Sequence, residues 1–207
     1  MSGKRSDNFT EKFAGRLTNI VLLGFFTTLC CLPVISAGAA FTALNVSTKA
    51  YLYEDDDKPL RIFFASFREH FSLSSKVWLL HIPALAVLIW DLAYYRTSDS
   101  TIDILASAAV FVLIMFVLLE LQMVFVIIAT EKENTVGYCL KKALDISLHC
   151  FGYSVMLLLF TVTVIAVSVF LFRGLLLVMP GVVSFLHWQF LPEILRKYKF
   201  RERKEKQ

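Results

Sequence analysis

Charge is scarce in this 207-residue chain: only 18 % of residues are Asp, Glu, Lys or Arg, against about 25 % in ordinary globular proteins. Glycine and proline are also few, at 8 and 5 residues. These figures exclude a disordered tail, a charged coiled coil and a collagen. Cysteines number four. Cys30 and Cys31 are adjacent inside an apolar run, and Cys139 and Cys150 stand apart. Without a CxxC or a paired secretory spacing, disulfides and structural zinc are not expected, and the four read as small apolar fillers. No GxxxxGK(S/T), GxGxxG, HExxH or GxSxG occurs, so neither a phosphate cradle nor a known catalytic signature is present. No cofactor, metal or catalytic residue is expected, and the chain does not read as an enzyme.

What the chain has in abundance is apolar surface: 57 % of residues are hydrophobic and mean hydropathy is +0.65. A bilayer core of about 30 Å takes roughly 20 apolar residues as helix. Residues 17–48 carry no charge, and as one straight helix would reach about 48 Å. Pro33 and Gly38 mark where that run should break. The expected fold is therefore all-α and polytopic, a single membrane domain with six transmembrane helices near 17–32, 37–52, 77–95, 104–130, 153–172 and 174–191. The second is the least apolar, with Thr42, Asn45, Ser47 and Thr48. Its stripe Ala39, Ala43, Ser47 has the spacing that lets helices approach closely. The fifth and sixth are joined by the step Arg173-Gly174, and Pro180-Gly181 kinks the sixth or starts it late.

Charge placement supports this arrangement. Nineteen of the 21 basic residues fall on one side of the six spans, with only Arg96 and Arg173 opposite. The positive-inside rule then puts both termini, and the basic tail 192–207, in the cytoplasm of a cell whose plasma membrane holds the chain. That tail reads as a topology anchor rather than a nucleic-acid site. Trp78 and Trp188 are expected at the inner interface, Trp90, Tyr94 and Tyr95 at the outer one. A signal peptide ending at Ala37-Gly38-Ala39 fits poorly, because the apolar run is long and starts late.

Two cytoplasmic amphipathic interfacial helices are expected. After Glu54-Asp55-Asp56-Asp57 and Pro59, residues Leu60, Phe63, Phe64, Phe67 and Phe71 share one helical face, with Arg61, Arg68 and Glu69 opposite. The Phe63, Phe64, Phe67 and Phe71 face suits a membrane surface or a partner protein. The second helix turns Val136, Leu140, Ala143 and Leu144 one way and Lys141, Lys142 and Asp145 the other. A shift of 76 residues superposes Phe63, Phe64 and Phe67 on Cys139, Leu140 and Ala143, hinting at a parallel span–helix–span repeat.

Ionisable residues at membrane depth are costly and count as functional candidates. Asp91 lies near a helix end and reaches water. His81, Glu120 and His187 all fall in the inner half of the membrane and form a candidate polar cluster. It either bonds helices together or relays a proton or solute.

The run LCCLPVISAGAAFTALNVSTKAYLYEDDDKPLRIFFASFREHF resembles the N-terminal half of the YesL-like family of bacterial membrane proteins. Leu32-Pro33, Gly38, Ala43, the acidic patch at 54–57 and the F-F-x-S-F-basic run at 63–68 carry the resemblance. It implies an all-helical membrane protein commonly encoded beside carbohydrate-uptake ABC transporters, and it assigns no ligand or catalytic residues. The implied role is a non-catalytic accessory or regulatory subunit whose partners are the lipid bilayer and ABC permease subunits. The loop TEKENTVGYCLKKALDIS lacks the Glu-Ala-Ala…Gly pattern of a permease coupling helix, so the chain is not itself expected to be the permease. A stand-alone small-solute or proton-coupled transporter using Glu120 is the alternative.

Overall fold

A computed structural model describes residues 3–54, 58–95, 100–131, 135–171 and 177–205. Within them every regular element is a helix. Helix α1 covers Gly3–Cys31, a short 3-10 turn Val34–Ser36, α2 Ala37–Tyr53, α3 Pro59–Tyr95 and α4 Thr101–Thr130. Then come α5 Val136–His149, α6 Phe151–Leu171 and α7 Met179–Glu205. Three of these, α3, α4 and α6, are long and apolar enough to cross a membrane, while α1 offers the shorter apolar stretch Thr18–Cys31.

The expected break between the first two spans is present. Pro33 is extended, with φ −75° and ψ 109°, because proline cannot continue the ladder of α1. Ser36 Oγ–H donates to the carbonyls of Cys30 and Pro33 at 2.7 and 2.8 Å, caring for groups that the end of α1 leaves bare. Helix α2 then starts at Ala37 and is the centre of the molecule. Eleven of its residues are buried, among them Ala39, Ala40, Thr42, Ala43, Leu44 and Ser47. It packs against α1, α3, α4 and α7.

Small side chains explain how so many neighbours fit. A Cβ on Gly38 would run into the carbonyl of Ser74 and the Cβ of Trp78, both on α3. Gly24 of α1 and Gly181 of α7 mark a second close approach, since a Cβ on Gly24 would strike the Val178 backbone just before α7 and one on Gly181 the backbone of Ile20 and Gly24. Hydroxyls inside this region bond back to their own helix: Thr42 to Gly38 and Thr48 to Leu44 at 3.1 and 2.8 Å. Such back-bonding lets a polar residue sit among apolar ones without an orphaned donor.

Several expectations are corrected here. The phenylalanine-bearing segment is not a separate interfacial helix. It is the first half of α3, one helix of 37 residues about 55 Å long. The physical reason is that residues 60–82 contain no glycine or proline, so nothing stops propagation into the apolar half. Helix α7 likewise runs through Pro192 to Glu205, so the basic tail continues the last helix. It begins at Met179 with Pro180 in its first turn, a position where the missing N–H costs nothing. The expected Arg173-Gly174 joint and the acidic residues Asp55, Asp56 and Asp57 lie outside the described residues. The 76-residue shift carries Pro59–Tyr95 onto 135–171, the stretch covered by α5 and α6. The two copies differ in that Cys150 (φ −111°, ψ 35°) interrupts the second.

The register of the helices divides the molecule into two storeys. Trp78 Nε1–H donates to the Val34 carbonyl at 2.7 Å, so the turn between α1 and α2 lies level with Trp78, midway along α3. Below that level, towards Pro59, Thr42 bonds Ser74 at 2.8 Å and Phe63 packs with Leu23, Ala43 and Leu44. All buried residues of α3 lie at or before His81. All buried residues of α4 lie at or after Leu119. The lower storey is thus a closed bundle around α2. Above it, Leu79, Val87, Ile89 and Trp90 of α3 are exposed, as are Ile104, Leu105, Phe111 and Leu113 of α4. Helix α6 meets α4 where Phe116 and Phe151 pack at 6.2 Å between centroids.

At the foot of α4, Lys142 Nζ reaches Glu131 at 2.7 Å and donates to Tyr138 Oη at 3.0 Å. Burial alone would lower the lysine's pKa, but these two partners outweigh it and hold it above the usual value. That contact is present at neutral pH and is lost only as pH rises through the raised lysine value.

Close packing at Gly38 makes a direct prediction. Gly38→Val pushes α2 off α3 and lowers stability by about 1–3 kcal/mol. Gly152→Ala, whose Cβ would meet nothing within 4 Å, costs nothing and serves as control. Thermal melting in mild detergent measures both, and equal melting temperatures would contradict the packing described.

Candidate functional site

Polar groups gather at the junction of the two storeys. His81 on α3 and Glu120 on α4 are joined, Nε2 to Oε2, at 3.3 Å, with side chains 6 % and 16 % exposed. His81 Nδ1 lies 2.8 Å from the Val77 carbonyl. A carbonyl only accepts, so Nδ1 carries a proton. A neutral imidazole then presents a bare lone pair at Nε2, and an ionised carboxylate is also acceptor-only. The Nε2–Oε2 contact therefore contains one further proton, held either as imidazolium with carboxylate or as imidazole with carboxylic acid. The pair is a single-proton site bridging α3 and α4.

His187 does not join this pair. It is buried on α7, and its Nε2 accepts from Gln122 Nε2–H at 3.2 Å. Gln122 and Glu120 are two positions apart on α4 and so point to different faces of that helix. The expected three-residue cluster is thus two separate pairs, α3–α4 and α4–α7. Gln122 Oε1 is buried with no partner, as are the hydroxyls of Ser47, Ser75 and Ser154.

A third polar group escaped the sequence reading. Asn45 Oδ1, in the middle of α2, accepts from Trp188 Nε1–H at 3.1 Å and from Ser184 Oγ–H at 3.4 Å. Ser184 also donates to Thr48 at 3.0 Å. Tyr53 Oη–H donates to the Trp188 carbonyl at 2.7 Å. Trp188 is therefore a buried link between α2 and α7 and not an interfacial anchor, because its indole N–H is spent on Asn45 and its ring lies inside the core. The signal was available: Thr42, Asn45 and Thr48 recur at helical spacing inside an apolar run.

The phenylalanine face also divides. Phe63 is fully buried and stacks with Phe67 at 6.3 Å. Phe64 and Phe71 remain exposed, and Phe64 contacts Phe26 of α1 edge-on at 5.5 Å. Half of the expected interface is thus core, because α1 lies against it. Among the described residues, no three His, Cys, Asp or Glu side chains gather as a metal cage.

Residues 17–92 match the model of a family described as a protein of unknown function, DUF624. Over that segment the chain is similar to DUF624 proteins. YesL-like proteins belong to DUF624, so the resemblance read from the sequence holds. The DUF624 segment takes in α1 from residue 17, all of α2 and α3 as far as residue 92. It therefore includes the hairpin, the Gly38 contact, Asn45 and His81, whereas Glu120, Gln122 and His187 lie beyond it. No curated protein and no solved structure matches the chain.

The proton count at His81 separates two substitutions. Glu120→Ala strands a buried His81 nitrogen and costs about 1–3 kcal/mol. Glu120→Gln donates an amide N–H to the same lone pair and keeps most of that stability while holding no titratable proton. Melting temperatures measured side by side check this, and an equally large loss in both variants would refute the assigned proton pattern.

Proposed function

We propose that this is a multi-pass cell-membrane protein, with both termini in the cytoplasm, that acts as a non-catalytic accessory or regulatory subunit of a carbohydrate ABC import system. The observation carrying this reading is how the polar groups are used. Glu120 is spent on His81, Gln122 on His187, and Asn45 on Ser184 and Trp188. Side chains that bind one another across helices serve assembly. Exposed apolar side chains, in contrast, run down α1 as Val21, Phe25 and Leu29 and continue to Phe64 and Phe71 of α3. Such a surface beside charged residues suits a partner's helix. The YesL-like resemblance supplies the link to sugar uptake.

A second reading has its own support: a proton-coupled carrier would use the one-proton site shared by His81 and Glu120. In that case, vesicles holding this protein alone would take up solute with a pH gradient, and Glu120→Gln would abolish uptake.

The accessory reading is tested by mild solubilisation of native membranes and capture of the tagged protein. Permease subunits should co-purify, and the double variant Phe64→Ser, Phe71→Ser should weaken their recovery. Failure to recover permease subunits in several detergents would overturn it.

A further inference from the structure

We propose that the α1–α2 hairpin does not cross the bilayer: it meets the membrane tip-first from the cytoplasmic side and buries its turn among the acyl chains of the near leaflet. This removes the first two crossings expected from hydropathy alone, and the sixth with them, because α7 packs along α1 and α2 at the hairpin's own level. Three observations carry it.

The first is register. The turn is held level with Trp78 by the Trp78–Val34 hydrogen bond, and Gly38 is locked against Ser74 and Trp78. Helix α3 continues past that level to Tyr95, another 17 residues or about 25 Å. That is close to the thickness of a hydrocarbon core. A hairpin ending where this stretch begins does not occupy the same layer.

The second is charge. On α3 there is no charged residue between Lys76 and Asp91, and on α4 only Glu120 lies between Asp103 and Glu131. Beside the hairpin the pattern reverses. Arg61, Arg68, Glu69 and Lys76 are all exposed on the half of α3 that α2 packs against. If α1 and α2 crossed the membrane, those four would face acyl chains, which is costly for each. Placing the hydrocarbon above Lys76 removes that cost at once.

The third is the turn itself. Leu32, Val34 and Ile35 are 75 %, 61 % and 56 % exposed, although α2, which leads away from this tip, has eleven buried residues. The occupant that fits them is lipid, because the exposed apolar side chains Leu79 and Leu80 of α3 begin at the same level. An apolar tip continuous with a lipid-facing surface is an insertion element.

Which side is cytoplasmic rests on the topology proposed above, and the test separates the two. Val34→Cys, Arg61→Cys and Thr101→Cys are made singly in the full chain. Each is treated with a membrane-impermeant maleimide in intact cells and in inside-out vesicles, with the wild type setting the background from native cysteines. Thr101→Cys should label only in cells and Arg61→Cys only in vesicles. An exchange of these two overturns the assigned orientation and leaves the hairpin to be judged by Val34→Cys. That variant should stay at background wherever Thr101→Cys reacts. Labelling at the Thr101→Cys rate from the Thr101 side would overturn the proposal. In case Val34→Cys fails to accumulate, a bimane on Ile35→Cys gives a second measurement. Quenching by nitroxide lipids with protection from iodide supports insertion, and iodide quenching contradicts it.

Discussion

The structure depends on enclosing α2 in protein. Its sequence, AGAAFTALNVSTKAYLY, has too many hydroxyl and amide groups to face lipid and too few large side chains to stand alone in water. Close approach resolves both problems. Glycine at 38 and alanines at 39, 40 and 43 let neighbouring backbones come near. Apart from the Ser47 hydroxyl, the polar side chains that would otherwise be stranded bond to α2 itself, to Ser74 of α3 or to Ser184 and Trp188 of α7. The rest of the lower storey follows as the wall that α2 needs.

From this enclosure comes the uneven burial of the long helices. Helix α4 is apolar along its whole length, yet only residues from Leu119 onward are buried. The same composition serves two solvents: protein interior below and lipid above. His81 and Glu120 sit where one gives way to the other. A bond between α3 and α4 there fixes the two helices at the last level where protein still surrounds both. Its single proton keeps a carboxylate from standing bare at that depth.

Much of the local structure was legible in the sequence. Pro33 and Gly38 announced the break, and α2 was expected at 37–52 and observed at Ala37–Tyr53. The helical character followed from composition, and shared depth grouped His81 and Glu120, but together with His187, which the structure pairs with Gln122 instead. Vertical register was not legible. Hydropathy measures the length of an apolar run but not the level at which it packs, so the position of the α1–α2 turn level with Trp78 needed the structure. Two sequence features bear on that level: no breaker separates the phenylalanine segment from the apolar half of α3, and α2 is too polar for lipid. The division of His187 from Glu120 needed the helix phase of Gln122, and the Asn45–Trp188 link needed two helices 143 residues apart to meet.

The boundary between storeys is the central claim, and a depth scan along α3 tests it most directly. Spin labels placed in turn at exposed positions 64, 71, 80, 87 and 90, in the protein reconstituted into bilayers, report collisions with oxygen and with a water-soluble nickel reagent. The account predicts nickel access at 64 and 71, then a switch to oxygen-dominated collisions at 80, 87 and 90. Oxygen-dominated values at 64 and 71, matching those at 87, would place the lower storey in lipid and contradict it.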